Sequence, residues 1–177
     1  MGLAPTAKKF ILHWGEMASR WGINRTVAQI HALLFVSPEP LNAEQLTELL
    51  SVSRSNVSTS LRELQGWGVV RIVHVMGDRR DHFECLGDVW EMFQAILDER
   101  KRRVIDPAVD VLRETIAQPL DGSPADAHAR KRLQEMLAFL EMVTSWYDQM
   151  RALPSEEIKR LMDLGREAQH SAAARRR

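Results

Sequence analysis

Residues 41–86 read LNAEQLTELLSVSRSNVSTSLRELQGWGVVRIVHVMGDRRDHFECL, and the order of elements in that stretch decides the fold. Asn42 precedes an apolar set at Leu46, Leu49 and Leu50, and Gln45 follows three residues after it. This is a capping box, and Leu41 against Leu46 completes it as a hydrophobic staple. Ser51-Val52-Ser53 is a short turn with one apolar plug, and Ser53 is placed to cap the next helix. That helix runs to about Gly66, with Val57, Leu61 and Leu64 on one face. Gly68 sits where a helix end needs positive φ. Val69 to Met76 is rich in β-branched residues and predicts a strand, Gly77 to Asp81 a charged turn, and His82 to Leu86 a returning strand.

Working outward, Phe10, Trp14, Met17 and Trp21 form one stripe on a first helix that Gly22 can end. Asn24 caps a second helix whose inward face is Val27, Ile30 and Leu34, and Pro38 and Pro40 stop it. Helices followed by a hairpin in this order predict a mainly α chain with a winged helix-turn-helix head at residues 23–87 and a small β-hairpin wing. Downstream, Asp88 with Glu91 opens a long helix lined by Trp90, Phe93, Leu97 and Val104, and Asp106-Pro107 kinks or restarts it. Ser123-Pro124 begins a further helix with Leu133, Leu137, Leu140, Val143, Tyr147 and Met150 at near-heptad spacing. Ile158, Leu161 and Met162 mark a last short helix. The expected organisation is therefore an N-terminal helix (1–22) belonging to a dimer module, the head, a helical dimerisation region (88–170) and a disordered basic tail (171–177).

Composition narrows the classes of function. Of 177 residues 45% are hydrophobic and 27% charged, a balance that sustains a packed core. The apolar run Phe10 to Trp14 is too short for an export or membrane segment and meets Glu16 and Arg20, so a cytoplasmic protein with no membrane contact is expected. The single cysteine, Cys85, suits a reducing compartment, and an inert buried thiol is expected there. Six histidines are scattered with no ligand spacing on one helix, although His74 and His82 could face each other across the hairpin. No phosphate-binding loop, nucleophile elbow or HExxH is present. Neither an enzyme, nor a metal, nor a cofactor is expected.

The 24 basic residues equal the 24 acidic ones, so any affinity for a polyanion depends on placement. In a helix-turn-helix the second helix enters the major groove, and its outward side chains should be small or hydrogen-bonding. With Val57, Leu61 and Leu64 inward, the helical period turns Arg54, Ser55, Ser58, Thr59 and Arg62 outward, with Ser53 and Asn56 at its start. Serine and threonine are mediocre helix formers, so a run of them in mid-helix favours groove contact over a merely solvated face. Arg79 and Arg80 at the hairpin tip are candidates for phosphate or minor-groove contact. Asp78 and Asp81 flank them, so one arginine is expected to be held in an ion pair and the other to be free.

The run Leu50 to Ser58, then Leu61 to Leu64, Gly66-Trp67-Gly68-Val69-Val70 and Gly77-Asp78-Arg79-Arg80, resembles the GbsR branch of the MarR family of transcriptional regulators. Arg103, Asp106 and Pro107 lie where that branch carries a similar arginine and Asp-Pro pair, and the resemblance spans roughly Phe10 to Leu112. It implies a homodimer whose terminal helices pair between subunits, binding double-stranded DNA, with repression relieved by a small-molecule effector. Some members sense choline or glycine betaine with aromatic boxes, which points to Trp14, Trp21, Trp67 and Trp90 as effector-binding candidates through cation–π contact. The competing expectation is that these rings sit on apolar stripes as core or interface. The low basicity of the head is a departure from the usual pattern of a DNA reader. Two rivals stay open: a winged-helix protein-interaction module without DNA, and an effector-binding helical protein.

Overall fold

Local capping chemistry sets most of the helix boundaries. In the computed structural model, which describes residues 2–119 and 123–174 and side chains as far as Arg166, α1 spans Pro5–Arg20 and α2 spans Arg25–Val36. The Asn24 side chain accepts from the Thr26 and Val27 amides at 2.8 and 3.4 Å, which starts α2 as expected. Next come β1 (Leu41–Asn42), α3 (Ala43–Leu50) and α4 (Arg54–Gly66). Asn42 accepts from the Gln45 amide at 3.0 Å while its own amide donates to Gln45 Oε1 at 2.8 Å, the reciprocal box read from the sequence. Ser53 Oγ accepts from the Asn56 amide at 3.3 Å and caps α4. Ser51 closes α3 in the left-handed conformation at φ 52°, which sets the angle between the two helices.

The wing differs from the expected hairpin in two ways. Only Val70–Val73 (β2) and His82–Cys85 (β3) pair, antiparallel, with Val73 opposite His82. His74 therefore lies beyond the ladder and does not face His82, since the four-residue partner strand has run out. A third short strand, β1, pairs on the other side of β3 with Leu41 opposite Phe83. The sheet order is β1-β3-β2, so the segment entering α3 is stitched to the wing.

Ile30, Leu33, Leu46, Leu64, Val27, Val57 and Val69 are the largest fully buried side chains, and they tie α2, α3, α4 and the start of β2 into one core. On α1 the residues buried deepest are Ile11, Gly15 and Ala18, one position round from the expected aromatic stripe. The reason is closeness: a Cβ on Gly15 would lie 2.7 Å from Gln29 Cγ, so the small residues face α2. Phe10 and Trp14 pack at the edge of the core, and Trp21 stays 55% exposed.

Contacts divide the chain into a first unit ending at Glu99 and a second beginning at Arg100. α1 and nearly all of α5 (Val89–Arg100) fall in the first unit together with the head. In the second unit a π-helical turn at Lys101–Ile105 leads into α6 (Asp106–Ala117), where Pro107 in the first turn has no amide to donate back. α7 (Pro124–Arg151) is held to α6 by Arg113, whose guanidinium reaches Glu141 at 2.8 Å. α8 runs Ser155–Ala174, so the expected tail begins in helix, and residues 175–177 lie outside the described residues.

α7 carries two apolar faces. Leu133, Leu137, Leu140, Tyr147 and Met150 of the expected stripe are half-buried. Met136, Phe139, Val143 and Trp146 form a second stripe, 52, 55, 41 and 61% exposed. No residue of α7 is buried.

Candidate nucleic-acid interface

The candidate reading surface is built by α4 and the turn after β2. Val57, Leu61 and Leu64 are buried, and this anchors α4 so that its opposite side is presented outward. Arg54, Ser55, Asn56, Ser58, Thr59 and Arg62 are all exposed. No large apolar side chain interrupts that row, and the one carboxylate of α4, Glu63, is half-buried beside it. Among the described residues Arg54 has no hydrogen-bond or ion-pair partner, and Arg62 makes one long contact, 3.4 Å to Thr59 Oγ1. The Ser53 hydroxyl is engaged by the helix cap and by Ser55 Oγ at 3.1 Å, so its first task is to start the helix.

At the wing tip the two arginines part company. Arg80 grips Asp78 through Nε at 3.0 Å and Nη2 at 2.5 Å, and its Nη1 reaches Glu44 of α3 at 2.8 Å. Hydrogen bonds from Arg80 hold the Asp78 carboxyl well below the usual carboxylate range. Asp78 also accepts the Arg80 amide at 3.0 Å, and His82 Nε2 stands 3.6 Å from the same carboxylate. Arg79, between these tied residues, is exposed and unpaired among the described residues. One held and one free arginine is the arrangement expected from the flanking carboxylates, whereas Glu44 as a partner has no local signal because it lies 36 positions away. Arg71 is paired with Glu84 at 2.6 Å across the hairpin and contributes no free charge.

The aromatic candidates are spread over several elements. Trp14 on α1 lies 5.4 Å from the Phe10 ring and 6.4 Å from the His31 ring, while Trp90 on α5 lies 6.2 Å from Phe93. Those two rings are committed to packing. Trp67 caps α4 and is half-buried, and Trp21 sits at the exposed end of α1.

Buried His31 meets half-buried Cys85. His31 Nε2 lies 3.5 Å from Cys85 Sγ, joining α2 to β3 across 54 positions. Burial pushes the His31 ring down to about 4 and the Cys85 thiol up to about 11, so both are neutral near pH 7. Cys85 also lines a cleft of about 180 Å³ with Leu34, Phe35, Pro38 and Glu84. Among the described residues no cluster of three or more His, Cys, Asp or Glu is arranged to hold a metal, and no helix is long and apolar enough to cross a membrane.

Helices α2 to α4 followed by a two-stranded wing, with β1 stitched beside it, define a winged helix-turn-helix. The sequence model of the MarR family matches residues 21–81, the part of the chain that holds α2 to α4 and the start of the wing. Among characterised proteins the chain is 25% identical over 147 residues to the HTH-type transcriptional regulator MmpR5 of Mycobacterium tuberculosis, covering 82% of this chain and 86% of that one. It is 22% identical over 141 residues to the HTH-type transcriptional repressor GbsR of Bacillus subtilis, covering 78% of each. A crystal structure described as a transcriptional regulator has the same fold, with a TM-score of 0.65 at 24% identity over 90% of this chain and 99% of that one.

Proposed function

We propose that this chain is a DNA-binding transcriptional regulator, a repressor, acting as a homodimer on a two-fold symmetric operator. α4 lies in the major groove, where Arg54 reads a base edge and Ser55, Ser58, Thr59 and Arg62 contact base edges or phosphates. The wing rests on phosphates or the neighbouring minor groove through Arg79, and Arg80 holds the wing in position. The observation that carries the reading is the outward row of α4. Its residues are exposed and polar, Glu63 beside them is half-buried, and Arg54 at the start of the row has no partner within the described residues. This placement supplies a local cationic surface that a net charge of zero does not forbid. The names of the similar proteins, a regulator and a repressor, point the same way.

A dimer accounts for the second apolar stripe of α7. A contiguous row of Met, Phe, Val and Trp left in water is what a two-fold interface covers. Titration of a mixed-sequence duplex with the full-length chain at rising salt tests the reading. Log affinity should fall linearly with log salt, as it does when phosphates are neutralised. Absence of binding at low salt would overturn it.

A further inference from the structure

His31 stands among Ile30, Ala32, Leu33 and Leu34 on α2, where an apolar side chain would serve packing as well. It is 4% exposed, its ring lies 6.4 Å from that of Trp14, and Cys85 Sγ is 3.5 Å from its Nε2. A thiol is a weak hydrogen-bond partner, so the imidazole is buried with little return for its lost hydration. Cys85 is the only cysteine of the chain, and it lines the cleft of about 180 Å³ at the ends of α2 and β3. The two donors have the spacing that a metal requires. Bonds of about 2.3 Å to sulfur and about 2.0 Å to an imidazole nitrogen, spanned by 3.5 Å, meet at about 110°, the angle between two ligands of a tetrahedral centre.

We propose that Cys85 Sγ and His31 Nε2 form a binding site for a soft monovalent cation of the Cu(I) class, loaded through the cleft that Cys85 lines. Thiolate and imidazole together suit copper and exclude harder cations. Charge decides between copper and zinc. Burial opposes a thiolate alone and an imidazolium alone, which is why the thiol is pushed up to about 11 and the ring down to about 4. A thiolate, a neutral ring and a monovalent ion carry no net charge, so burial does not oppose the assembly. Zinc would leave a positive charge there and takes four ligands in closed sites, whereas among the described residues no third His, Cys, Asp or Glu joins the pair. Binding is an exchange without redox: the Cys85 S–H bond breaks, S–Cu and N–Cu bonds form, one proton leaves to solvent, and copper stays monovalent. The ring keeps its remaining proton on Nδ1. A filled site fastens β3, the middle strand of the sheet, to α2.

Full-length wild type, Cys85→Ser and His31→Leu are titrated anaerobically with Cu(I) against a coloured Cu(I) chelator. Wild type should take one Cu(I) per chain, release one proton, show a thiolate-to-copper charge-transfer band in the ultraviolet, and keep its copper in equimolar Zn(II). Cys85→Ser should lose the band and at least about a hundredfold in affinity, and His31→Leu should keep the band and lose at least about tenfold. Copper-edge X-ray absorption of wild type reads the same site with no variant involved, and should show one sulfur and at least one nitrogen neighbour. Cys85→Ser that binds as tightly as wild type, copper without sulfur, or displacement by zinc would overturn the site. His31→Leu that binds as tightly as wild type would overturn it too, leaving an adventitious thiol only.

Discussion

Acidifying the solution should expose the cost of keeping His31 neutral in the head. The folded ring takes up a proton only near pH 4, because its surroundings do not solvate a charge and its polar contact among the described residues is Cys85 Sγ at 3.5 Å. In the unfolded chain the same ring titrates near its ordinary value of 6.5. Between these two values the unfolded state binds the extra proton, so stability falls as pH falls through that window. At about 1.4 kcal/mol per decade, the interval from 6.5 to about 4 amounts to about 3 kcal/mol, a large part of the stability of a small domain. Cys85 adds nothing there, since its thiol is pushed up to about 11 and stays neutral. His31→Leu removes the titrating ring, and the readout is a difference of slopes instead of an absolute stability. Urea denaturation followed by tryptophan fluorescence, from about pH 7.5 to about pH 4, should show wild type losing about 3 kcal/mol more than the variant. Parallel curves would refute the reasoning, because His31 would then titrate alike in both states.

Other consequences follow from the reading surface and its supports. Arg54→Ala should weaken the preferred duplex by about 1 to 3 kcal/mol and relax preference at one base position, measured by competition with single-base variants. Arg79→Ala should lower the slope of log affinity against log salt by about one, whereas Arg80→Ala should weaken binding with the slope unchanged, because the held arginine contacts protein. Asn42→Ala deletes the side-chain half of the box that starts α3, the acceptor of the Glu44 and Gln45 amides, and should destabilise the chain by about 1 kcal/mol in chemical denaturation. Trp146→Glu places charge on the bare stripe of α7 and should convert a dimer to a 20.3 kDa monomer in sedimentation, with the helical content retained.

The parts of the fold that could be read from the sequence are those fixed by neighbours in the chain. Asn24, Asn42 and Ser53 act within three residues of themselves, so their caps are found where the sequence puts them. The buried face of α4 follows from helical period alone, and so does the outward row opposite it. Parts that depend on partners far along the chain were hidden. β1 is two residues long and exists because β3 passes beside it. β2 stops at Val73 although β-branched character continues to Val75, because β3 offers no further partner. The contact face of α1 is governed by the small residues Gly15 and Ala18, which a search for large apolar residues passes over. The wing clamp was half visible: Asp78 beside Arg80 is local, and Glu44 is not.

The most direct test of the central claim is a selection from random duplexes with the purified full-length chain. If α4 of each subunit reads a major groove, the bound pool should converge on a two-fold symmetric motif with half-sites about one helical turn apart, and Arg54→Ala should erase one position in each half. A bound pool indistinguishable from the starting pool would contradict the claim that this head reads DNA sequence.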